Sequence, residues 1–153
     1  MVKHLLVCSS VLWLLAGTAA MAEKVTDEPA LAYTFKDPRL EWGPCPSFLP
    51  AGCEVAVLHG DPAKPNVDIF FKVPGGSYIP SHTHTSAERM VLVSGSLEVT
   101  YEGQSPVRLE PGSYAYGPAS RPHQAVCADG DPCVLFIAFE APVDAIPLEA
   151  AAE

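Results

Sequence analysis

Positive charge is scarce in this 153-residue chain. Nine Lys and Arg stand against eighteen Asp and Glu, for a formal charge of −9. No basic run occurs, so the electrostatic footprint of a nucleic-acid-binding protein is missing. An acidic chain also gains nothing from an anionic membrane surface. Long apolar runs are lacking too: the longest, Leu5–Gly17, has 13 residues, short of the roughly 20 that cross a bilayer. No extended stretch keeps a helical period, and no internal repeat is present, which excludes helical bundles and solenoids.

What stands at the N-terminus is an export pattern. Lys3 and His4 precede the apolar run, and Ala20-Met21-Ala22 forms an A-x-A site before Glu23. This is the layout of a cleavable secretory leader. Cys8 lies inside the run and no cysteine stands at the cleavage point, so a lipoprotein is not indicated. Residues 1–22 are therefore read as a signal peptide, leaving 131 residues (153 less 22) with a charge of −10 once Lys3 is gone. That length suits one domain. The expected location is outside the cytoplasm, in a bacterial periplasm, with no stable membrane anchor and no nucleic-acid partner.

Residues 23–50 carry Pro29, Pro38, Pro44, Pro46 and Pro50 among scattered apolar residues. This segment reads as an arm, either strapped against the domain or a partner, or left as a flexible leader. From residue 51 to 140 short β-runs alternate with Gly/Pro/Asp turns. The runs are Cys53–Leu58, Val67–Val73, Tyr78–His84, Arg89–Val93, Leu97–Tyr101, Val107–Leu109, Ser113–Tyr116, His123–Cys127 and Cys133–Phe139. Regular short strands of this kind indicate an antiparallel sandwich or barrel. Residues 141–153 are small and acidic and read as a flexible tail.

Two segments carry chemistry. One runs Gly76, His82, His84, Glu88, Gly95; the other runs Gly112, Pro118, Ser120, His123. On a strand, residues i and i+2 share a face, so His82 and His84 can converge on one ion. On a helix the same spacing would separate them by about 200°. A short turn returns Glu88 beside them, and His123 arrives from a distant strand. Three imidazoles and a carboxylate suit a divalent transition metal with open coordination positions. Manganese or iron is favoured; nickel, zinc and copper stay open. Gly76 and Gly95 fit turns that need a positive φ or close backbone approach. His59, before Gly60-Asp61-Pro62, reads as a surface loop histidine.

The two segments resemble the two conserved motifs of the cupin superfamily. The first matches at Gly76, His82, His84, Glu88 and Gly95, and the second at Gly112, Pro118 and His123. Two positions depart from the pattern: Ser120 stands where the family usually has glycine, and Cys127 where it often has asparagine. The resemblance implies an all-β fold, an antiparallel double-stranded β-helix (jelly-roll barrel) with an N-terminal arm. It also implies His82, His84, Glu88 and His123 as metal ligands, and it admits a homodimer built by sheet extension or arm exchange. It does not choose a reaction, because one fold hosts many.

Four cysteines remain after the leader: Cys45, Cys53, Cys127 and Cys133. In an oxidising compartment an even number indicates disulfides. Proximity favours Cys45–Cys53 and Cys127–Cys133, the second bracketing a hairpin turn. The alternative is Cys127 as a free thiol facing the pocket with His123 and Ala125. Strand parity turns Met90, Leu92, Leu97, Val99 and Tyr101 inward and Arg89 and Glu98 outward. It leaves Tyr101, Tyr116 and Cys127 as candidate catalytic groups in an apolar, aromatic interior suited to a small organic molecule. Three readings follow. One is a metal-dependent enzyme, an oxidoreductase of dioxygenase type or a lyase, decarboxylase or isomerase. The second is a binding or sensing module without turnover. The third, disfavoured by the short length and export, is a structural metalloprotein with no ligand.

Overall fold

The computed structural model describes residues 28–148. The expected leader, residues 1–22, lies outside them, as does the end of the tail. Residues 28–31 belong to a unit ending at Leu31 and carry no regular structure; the other described residues belong to the unit that begins at Ala32.

Among its described residues this unit has eleven strands and no helix. They are β1 (Trp42–Pro44), β2 (Glu54–His59), β3 (Val67–Val73), β4 (Tyr78–Thr83), β5 (Glu88–Ser94) and β6 (Leu97–Tyr101). Then come β7 (Val107–Leu109), β8 (Tyr114–Gly117), β9 (His123–Cys127), β10 (Cys133–Phe139) and β11 (Ile146–Pro147). They form two antiparallel sheets, ordered β1-β2-β3-β10-β5-β8 and β11-β4-β9-β6-β7. The inner faces meet in one core, as in a double-stranded β-helix. Period-2 alternation decides the facing: Leu97, Val99 and Tyr101 are buried while Glu98 is exposed, and Met90 and Leu92 are buried while Arg89 is exposed.

One register shift positions the site. Ile79 pairs with Ala125, yet His82 pairs with His123. Three residues on β4 therefore span two on β9, which is a β-bulge at Pro80 and Ser81. The extra residue reverses the parity of β4, so that Ile79 and His82 both end up buried. Proline suits a bulge because it has no ladder N–H to lose.

Both cysteine pairs are disulfides, Cys45–Cys53 and Cys127–Cys133. The first ties the arm to the start of β2, and Trp42–Pro44 of the arm adds a strand beside β2. The flexible-leader alternative is thus overturned for this part of the arm. The tail departs from expectation as well. Residues 141–148 are not loose: Ile146 and Pro147 pair with Thr83 and His82 of β4, and Val143 packs on the core. Gly76 and Gly95 adopt φ of 77° and 81°. At Gly95 a Cβ would also sit 2.9 Å from the backbone of Cys133, so the turn needs glycine twice over.

Candidate metal centre

Three buried polar side chains, His82, Glu88 and His123, cluster between the sheets, and the half-buried His84 joins them. The ligand nitrogens of His82, His84 and His123 lie within 4.8 Å of one another. Glu88 faces this trio. Its Oε2 is 3.6 Å from His84 Nε2 and its Oε1 is 3.4 Å from His123 Nε2. The rings of His82 and His123, on paired strands, are 4.2 Å apart.

Each imidazole is held from behind by a main-chain carbonyl. His82 Nδ1–H donates to the Pro80 carbonyl (2.7 Å) and His123 Nδ1–H to that of Arg121 (3.1 Å). The Nδ1–H of His84 donates to the carbonyl of Asp144. Such bonds fix the tautomer and leave the Nε2 lone pairs free, the arrangement found behind metal-binding histidines. Burial favours the neutral form that a metal needs. It pushes the His82 imidazolium down to about 4 and that of His123 down to about 3, where nearby His82 adds repulsion. Glu88, 3% exposed, has its carboxyl pushed up by burial, opposed by His84 and by the Tyr101 hydroxyl. A buried carboxylate with nearby imidazoles and no lysine or arginine is the local chemistry a divalent cation would neutralise. These His residues could hold a metal ion, and the donor set fits one.

The candidate catalytic residues separate. Tyr101 is buried, and its hydroxyl donates to Glu88 Oε1 at 3.3 Å. Burial, then the Glu88 charge, raises its pKa. Tyr116 does not belong to the site: it is 51% exposed, because Ala115 rather than Tyr114 or Tyr116 takes the inward parity of β8. Cys127 is corrected too. It is fully buried, but its sulfur is spent in the bond to Cys133, so it offers no free thiol.

Three contributors escape a sequence reading. Gly117 pairs with Glu88 across β5 and β8, and a Cβ there would lie 2.5 Å from Glu88 Oε1 and 2.7 Å from the Tyr101 hydroxyl. Asp144 holds His84 through its carbonyl and accepts the Thr85 N–H through Oδ1. Phe48, from the arm, stacks at an angle on His82 with centroids 6.0 Å apart. Only the proline-flanked glycine in Tyr116-Gly117-Pro118 left a local signal, and that signal marked a bend rather than a clearance.

A cavity of about 160 Å3 opens over the trio. Pro46 and Leu49 of the arm and Val143 and Ala145 of the tail contribute to its lining.

Comparison with known proteins agrees with this architecture. Residues 69–139 match the cupin domain family model. A DMSP lyase from Ruegeria pomeroyi superposes with a TM-score of 0.63 at 21% identity, covering 74% of this chain and 64% of that one. A polyketide cyclase from Streptomyces resistomycificus gives 0.63 at 17% identity, covering 79% and 88%. Oxalate decarboxylase gives 0.56 at 18% identity, covering 65% and 29%. This chain thus spans under two thirds of the lyase. At these identities the likeness concerns the fold. No curated protein matches the sequence.

Proposed function

We propose that this chain, whose residues 69–139 match the cupin domain model, is a metal-dependent enzyme acting on a small organic molecule, exported to the periplasm. The observation that carries the reading is the trio of carbonyl-anchored imidazoles facing Glu88 at the floor of an apolar cavity. His82, His84 and His123 would hold the ion through Nε2, and Glu88 would supply a carboxylate oxygen. A bound divalent manganese or iron would supply a Lewis acid or an electron relay with open positions. The protein's own part is to exclude water, orient the donors and place one proton. The Tyr101 hydroxyl is the group that can keep that proton at Glu88 Oε1. Export is supported by the two disulfides, which fit an oxidising compartment. No helix among the described residues is long and apolar enough to cross a membrane.

Oxidation by O₂ is the favoured chemistry within this class, ahead of lyase, decarboxylase or isomerase action. The neighbours named as a lyase and a decarboxylase keep the non-redox forms in view. The alternative, a binding module without turnover, draws support from the lack, among the described residues, of a buried acid or base besides the histidine trio, Glu88 and Tyr101. Aerobic assays of iron- and manganese-loaded protein against small diols, thiols and carboxylates separate the two. Turnover lost in His82→Ala is the expected result. Saturable ligand binding with no turnover in any loaded form would move the assignment to the binding module.

A further inference from the structure

The polar lining of the cavity is His82, His84, His123, Glu88 and Asp144, and the rest of its wall is aliphatic or aromatic, with Val99 among it. Strand register sets the polar groups toward one end, where His82 pairs with His123 and Glu88 with Phe139, while Leu97, paired with Leu109, and Leu135, paired with Leu92, lie toward the other. Among the described residues no lysine or arginine lines the cavity. The cations near the motifs are committed elsewhere. Arg89 pairs with Glu140, Arg121 donates to the Glu102 carbonyl, and Lys72 pairs with Glu54 and lies over the Trp42 ring. A charged group pushed into the far end would therefore lose its hydration with nothing to replace it. The volume, about 160 Å3, is close to that of an engineered apolar cavity of about 150 Å3 that stays dry and takes up benzene.

We infer that the cavity selects a ring-sized ligand with one metal-coordinating head and an uncharged apolar body, and rejects molecules charged at both ends. This specificity rests on the metal-centred reading above. Benzoate and succinate isolate it, because both bring a carboxylate to the metal and differ at the far end. Titration of the metal-loaded, full-length mature protein, with metal counted per chain, should give benzoate a Kd at least tenfold below that of succinate. Val99→Phe, which fills the apolar end, should keep its metal and lose benzoate binding by tenfold or more; Ala125→Val serves where that variant does not fold. Succinate binding as tight as benzoate, no saturable benzoate binding, or unchanged benzoate affinity in the filled variant would overturn the inference while leaving the metal-centred reading intact. A protein that takes up no metal would overturn both.

Discussion

Ser120 holds a left-handed backbone, φ 60°, where a Cβ is unfavourable. It does so because its N–H donates 2.8 Å to the His84 carbonyl, tying the loop before β9 to the loop that carries a ligand. Ser120→Gly should relax the backbone and keep that bond. The expected gain is about 0.5–1 kcal/mol, read as a Tm rise of a few degrees with metal content unchanged. Gly117 is the opposite case. Gly117→Ala forces Glu88 or Tyr101 from a buried place, and metal affinity should fall about 10–100-fold, as for other losses of ligand support; isothermal titration reads it directly. The ligands were legible because their spacing is local: His82 and His84 are two apart, with Glu88 four further on. The clearance at Gly117 was not, because it depends on the pairing of β5 with β8, which no single segment encodes. Tyr116 misled for a related reason. Shared parity with Tyr114 is real, but which parity faces inward is settled by packing, and there the small Ala115 fits.

Among the elements, the two ends of the chain around the barrel matter most. Residues 141–148 read as a small, acidic tail, yet they pair with β4 and supply the carbonyl behind His84. Short segments of this kind gain order only from tertiary contacts, so local composition understates them. Ending the chain after Ala141 should therefore lower metal affinity more than a conservative change at Asp144, because the supporting acceptor is main chain. Equal metal affinity in the truncated protein would remove the tail from the site. The arm is held by the Cys45–Cys53 bond. Replacing both cysteines by serine should cost about 2–3 kcal/mol for so short a loop, measurable by urea unfolding. The bulge in β4 was equally hidden: uninterrupted strand parity would turn Ser81 inward with Ile79 and His82 outward with the exposed Tyr78. The inserted residue corrects that, and Pro80 is its visible trace in the sequence.

For the whole molecule, the acidic charge and the apolar interior work at different ranges. The surface field is screened within about 8 Å at physiological salt, whereas the buried histidines feel desolvation first. Their depressed proton affinity has a sign. In the folded chain His82 and His123 stay neutral well below the ordinary value near 6.5, and protonation sets in only as pH falls through about 4 and about 3. Bound metal should thus survive dialysis at pH 6 and be released progressively below about pH 4, as protons compete for Nε2. The fold itself was readable from strand spacing and turn residues, since antiparallel pairing of short runs leaves few arrangements. The substrate cavity was readable only as a tendency, because its walls come from strands and chain ends far apart in sequence.

Elemental analysis of the mature protein, purified without chelator or added metal, reads the occupancy of the metal centre itself. About one equivalent of a divalent transition metal per chain is expected, iron or manganese by preference, and none in folded His82→Ala. Full metal occupancy in that variant, or a folded wild-type chain that takes up no metal even on reconstitution, would contradict the metal-centred reading.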